Sequence, residues 1–172
     1  MTMKIFSFAF VLIMSTAVHA QSKVPNRVVP VDPVQKYLNA AGLQSGDLWN
    51  AAFVYWCYNY FPGGNPLPKT GSGMQMWNSL SSRNKLSADQ ARKEPGKIIP
   101  GNIFFISETE KDARVGIVAS VSGNEIETVE ADTWVILTRK IYSEKVIRKQ
   151  RKLSEIDLGF SNFTEAPQAS AK

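Results

Sequence analysis

The segment Trp49-Asn50-Ala51-Ala52-Phe53-Val54-Tyr55-Trp56-Cys57 decides how the rest of the chain is read. Trp49, Ala52, Phe53, Trp56 and Tyr60 recur at the three- and four-residue steps of a helix, and Pro62-Gly63-Gly64 stops the pattern. Ser45 or Asp47 stands ahead of it as an N-cap. A helix this apolar belongs at the centre of a domain, covered by other elements.

Upstream, Asp32-Pro33 offers a cap followed by proline at the first helical position, and Val34, Tyr37, Leu38 and Ala41 keep helical spacing up to Gly42. Downstream, the polar stretch from Lys69 to Ala91 carries Met74, Met76, Trp77 and Leu80, which predicts a loop with one or two short helices. Gly71-Ser72-Gly73 within it is a loop before a helix, since no Gly-Lys-Ser/Thr follows to make a phosphate cradle. After Pro95-Gly96 the pattern turns to strands: Ile103 to Ile106, Val115 to Val121, Glu125 to Glu130, Trp134 to Ile141, Lys145 to Lys149 and Leu158 to Phe160. Ser122-Gly123-Asn124 is the turn between the second and third. Helices first and an antiparallel meander afterwards give an α+β domain, its N-terminal helices packed on the sheet.

Residues 1–20 carry Lys4, an apolar run from Ile5 to Met14 and the small-residue pattern Val18-His19-Ala20, which is a signal peptide. The run is shorter than the roughly 18 residues that span a bilayer. The expectation is an exported product, periplasmic or secreted, with no membrane association after leader removal. Residues 21–32 read as an extended lead-in, 33–163 as the one domain, and 164–172 as a disordered tail. Removing 20 of the 172 residues leaves a length that makes one domain with a substantial core. The leader takes Lys4 from 20 basic and 15 acidic residues, and the excess of four that remains does not call for nucleic acid. Cys57, the single cysteine, can form no internal disulfide, and the chain lacks the ligands of a metal site, so no metal or cofactor is expected. The single histidine, His19, lies ahead of the cut, so the mature chain has none.

Trp49 to Cys57 resembles the nucleophile helix of the CHAP family, papain-like cysteine amidases and peptidases that cut bacterial cell-wall peptides. In that family the helix typically reads Trp-Cys-Ala-Ala-Phe-Val-x-Trp-Cys and its first cysteine is the nucleophile; here Asn50 holds that position. Pro100-Gly101-Asn102-Ile103-Phe104-Phe105 resembles the family's Pro-Gly-Asp and strand. Ala113-Arg114-Val115-Gly116-Ile117-Val118 resembles Gly-His-Val-Gly-Ile-Val, with Arg114 where the family has its general base. Ile126 to Thr133 is similar to the Ile-Glu-Gly-Asn strand end that supplies the base-orienting group, here at Glu130. The resemblance runs from about residue 33 to 161 and implies a papain-like CHAP-type fold.

It does not imply the chemistry. That reaction needs a thiolate at a helix N-terminus and an imidazole within reach. Asn50 is a neutral amide, and Arg114 stays protonated and takes up no proton. Cys57, two helical turns and about 10 Å further on, reads as a buried structural cysteine. The resemblance therefore implies a catalytically inactive relative of cell-wall amidases, with Asn50, Arg114 and Glu130 at degenerate catalytic positions. Asn50, Arg114, Glu130 and Asp132 would converge at one end of a groove.

Two readings of that convergence stand side by side. In one, Arg114 forks onto a carboxylate of a peptidoglycan stem peptide while Asn50 makes amide hydrogen bonds. In the other, Arg114 pairs with Glu130 or Asp132 and fills a dead groove. Two further functions compete with peptidoglycan binding: an inhibitor or immunity-type protein that binds a periplasmic protein partner, and residual amidase or peptidase activity. Between Arg139 and Lys152 seven basic residues face only Glu144, a run that is either a solvated strand face or a surface for anionic polymers or an acidic protein. The four tryptophans, Trp49, Trp56, Trp77 and Trp134, are core residues or sugar-stacking ones. Oligomeric state is left open.

Overall fold

A computed structural model describes residues 34–45, 47–61, 64–136 and 141–163. The leader, the lead-in, the Asp32-Pro33 cap, the Pro62-Gly63 stop and the tail lie outside the described residues. Among the described residues there are four α-helices: α1 Gln35–Ala41, α2 Asn50–Tyr58, α3 Gly73–Ser79 and α4 Ala88–Lys93. Six strands, β1 Lys85–Ser87, β2 Ile103–Ser107, β3 Ala113–Ser122, β4 Glu125–Ile136, β5 Ile141–Lys152 and β6 Gly159–Ser161, form one antiparallel sheet in the order β1-β6-β2-β3-β4-β5. The chain is α+β, as its pattern implies.

Strand alternation gives the sheet two apolar faces. Ile103 and Phe105 of β2, Val115, Ile117 and Ala119 of β3, and Val129 and Ala131 of β4 turn to α1, α2 and α3. Phe104, Val118, Ile126 and Phe160 turn the other way, onto Leu86, Ala91 of α4, Ile98, Leu153 and Ile156. α2 lies in the larger of these cores, with Ala51, Ala52, Phe53, Val54, Cys57 and Tyr58 all buried. Each large apolar side chain so buried contributes about 1.5–3 kcal/mol. α1 is held on α2 by aromatic contacts: Tyr37 stacks on Trp49 at 5.7 Å and meets Phe53 and Trp56 edge-on at 5.3 Å each.

The structure corrects the sequence reading in three places. β4 continues through Glu130 to Ile136 and β5 begins at Ile141, so Trp134 to Ile141 is not a strand of its own. The sequence places Lys85–Ser87 within a loop or short helix, but the structure makes it a strand, β1. Its three residues pair with β6, Lys85 against Ser161 and Ser87 against Gly159, and Ser87 then caps α4 through a box with Gln90. α2 has no side-chain cap from Ser45 or Asp47: Trp49 is its N-cap residue, and Asp47 accepts the Gln44 backbone N–H instead, at 2.8 Å. Tertiary burial, rather than a cap, holds this helix in place.

Candidate functional site

Asn50 is the first residue of α2 and is half-buried. Its Oδ1 accepts the Ala51 N–H at 2.8 Å, and its Nδ2 lies 3.4 Å from the Ala113 carbonyl at the start of β3. The start of α3 presses on the same point: a Cβ at Gly73 would stand 1.9 Å from the Ala113 carbonyl oxygen, so only glycine fits. The N-terminal end of α2 and the first residues of β3 are thereby brought together across 63 residues of sequence.

Arg114 follows on β3, and the turn before it supplies its partner. Glu108 and Thr109 both donate their N–H to the Asp112 carbonyl at 3.1 Å, while Thr109 Oγ1 accepts the N–H of Lys111 and of Asp112. Asp112 Oδ1 accepts the Ala113 N–H at 2.9 Å. This closed turn sets Glu108 against Arg114, whose Nε and Nη2 lie 2.8 and 2.6 Å from Glu108 Oε1. Arg114 Nη1 is 3.7 Å from Asp132 and 3.9 Å from Glu130. Arg114, Glu130 and Asp132 therefore do converge, but the closest partner of Arg114 is Glu108, which the sequence reading missed. A glutamate in a polar loop carries no spacing signal that would have singled it out.

Glu130 has a different principal partner. It is wholly buried, and Arg151, 6% exposed, grips it with both arms: Nε to Oε1 at 2.6 Å and Nη2 to Oε2 at 2.7 Å. Thr128 Oγ1 donates to Glu130 as well, and Arg151 reaches Glu155 at 3.2 Å. Burial works against the charge of Arg151, yet the hydrogen bonds and charges of Glu130 and Glu155 outweigh it and hold its pKa above the ordinary value. Gly116 makes room for this network, since a Cβ there would meet Phe104 at 2.7 Å and Glu130 Cγ at 2.9 Å. Arg151 was legible only as one member of the basic run.

Asn50 and Arg114 line one shallow depression of about 160 Å³, with Leu48, Trp49, Glu108, Asp112 and Ala131. Leu48 is 55% exposed at its rim. Two carboxylates, from Glu108 and Asp112, line the depression with the one guanidinium of Arg114, and the charge of Glu130 is met by Arg151. The depression is therefore acidic, and the fork of Arg114 is already engaged. Cys57 is buried, and desolvation pushes its thiol well above the ordinary range, opposed only in part by Lys36. Burial, and then the proximity of Cys57, push Tyr37 up to about 12. Trp49 is buried, and Trp56 and Trp77 pack on the core; the side chain of Trp134 lies outside the described residues.

No cluster of three or more His, Cys, Asp or Glu among the described residues is placed to hold a metal ion, and no described helix is long and apolar enough to cross a membrane. Comparison of the chain with protein-family models, with curated proteins and with solved structures finds no match.

Proposed function

We propose that this chain is an exported, CHAP-like domain without catalysis that binds peptides of the bacterial cell wall at the Asn50–Arg114 depression. The observation that carries the reading is the meeting of the α2 N-terminus with the start of β3, which makes Asn50 and Arg114 walls of one depression. Those are the two positions that the CHAP resemblance assigns to nucleophile and base. Asn50 supplies no nucleophile, and Arg114 accepts no proton. The buried, high-pKa thiol of Cys57 is a poor substitute.

The electrostatics alter which end of a peptide this site suits. With Arg114 engaged by Glu108, an incoming carboxylate would have to displace that pair. The carboxylates of Glu108 and Asp112 instead favour an amino group, and Asn50, its Oδ1 on Ala51 and one Nδ2 hydrogen on Ala113, lines the wall beside them. Cell-wall stem peptides carry both. Calorimetric titration with purified stem peptides tests the proposal. Binding that is weakened at least tenfold by Glu108→Gln/Asp112→Asn supports it; absence of heat in the native protein, or equal affinity in the variant, rejects it.

A further inference from the structure

β5 is an end strand of the sheet: among the described residues it pairs with β4 alone, whereas the other end strand, β1, is only three residues long and leads directly into α4. The Lys149 carbonyl oxygen faces β4, 3.1 Å from Thr128 Oγ1, and the Leu153 N–H donates to the Asn124 carbonyl where β4 begins. Since the backbone groups of successive strand residues alternate in direction, those of Val146, Arg148 and Gln150 point away from β4. Lys145, Arg148, Lys149, Gln150 and Lys152 are exposed along this stretch. Among the described residues nothing bonds these outward donors and acceptors, which run under a basic side-chain array.

We propose that this edge takes an acidic, extended segment of a partner protein as a seventh strand. The structure itself shows which neighbour β5 accepts: β4 sets Glu125, Glu127, Glu130 and Asp132 beside it, with Asp132 directly opposite Lys145 and Glu125 opposite Lys152, and Arg148 bonding Glu127 at 3.0 Å. A strand of the same character on the outer side meets the same cations and fills the open backbone groups, the mode by which an exposed edge captures a peptide. A second copy of this chain is the wrong occupant, because two β5 edges laid together would oppose lysine and arginine to lysine and arginine. The β5 edge is separate from the Asn50–Arg114 depression, and its occupant is independent of what that depression binds.

The test is amide hydrogen exchange on the full chain, with and without a short blocked peptide alternating glutamate and threonine. The expected result is protection of the Val146, Arg148 and Gln150 amides, none with a lysine–threonine peptide, and roughly tenfold weaker binding by Arg148→Glu/Lys149→Glu. Gln150→Pro, which removes one outward N–H and no charge, is expected to abolish that protection while the far-ultraviolet circular dichroism is kept. Several results overturn the inference: amides already protected in the free protein, equal protection by both peptides, self-association through this edge, or binding of polyphosphate and the acidic peptide alike without amide protection. The last result would mark a surface for polyanions.

Discussion

Arg151→Met leaves the Glu130 carboxylate fully buried with its two-armed partner gone, and this single change is expected to be among the most damaging in the domain. The two bonds lost are short, 2.6 and 2.7 Å, and both groups are shut off from solvent. Breaking a buried pair by removing one side destabilises by about 3–5 kcal/mol, because the remaining charge keeps its desolvation penalty without its partner. The bond from Arg151 to Glu155, which is 44% exposed, adds at most about 1 kcal/mol. Against a domain stability of about 5–15 kcal/mol the loss is about a fifth or more, and it lowers the midpoint of thermal unfolding by about 10 °C. Urea unfolding followed by circular dichroism measures it, with an unchanged m-value to confirm that the two end states are the same. The double variant Glu130→Leu/Arg151→Met, which exchanges the pair for apolar groups, is expected to recover at least about 2 kcal/mol relative to Arg151→Met. A loss below about 1 kcal/mol in the single variant, or strict additivity in the cycle, refutes the account of this network.

Gly116→Ala places a Cβ within 2.6 Å of the Val129 carbonyl oxygen and 2.7 Å of Phe104, and a loss of about 1–3 kcal/mol is expected in the same unfolding assay; a neutral change would contradict the close packing described. Cys57 should resist iodoacetamide in the native protein and react at the rate of a free thiol in urea, as read by mass spectrometry, because burial holds it as the thiol. Glu155 is held below its ordinary value of 4.5 by the Lys152 backbone N–H first, and by Arg151, with burial opposing. Its contribution is therefore present above pH 4.5 and lost as pH falls through the lowered value, so Glu155→Gln should flatten the acid limb of the stability profile and leave its slope near neutrality unchanged.

Legibility in the sequence followed local chemistry. α2 was readable because nearly every residue from Trp49 to Cys57 is apolar, and the β3–β4 hairpin because Gly123 supplies the positive φ, 58°, that its turn requires. β1 was not, since Lys85-Leu86-Ser87 is a strand only by virtue of β6 beside it. The reach of β4 was also hidden. Glu130 and Asp132 look like a strand end until Arg151, distant in sequence, meets the first of them in the interior. At the site, the resemblance to CHAP motifs implies that Arg114 meets Glu130 and Asp132, while the dominance of Glu108 depends on a loop closed around the Asp112 carbonyl. Such a loop leaves no periodicity to read.

The most direct test of a binding site without chemistry is a ¹H–¹⁵N titration of the labelled protein with soluble cell-wall stem peptides, the peptide being weighed by mass spectrometry afterwards. The account predicts shifts confined to Leu48–Ala51, Glu108–Arg114 and Ala131, with the peptide recovered at its original mass. Resonances that do not move there, or a peptide recovered in pieces, would contradict it.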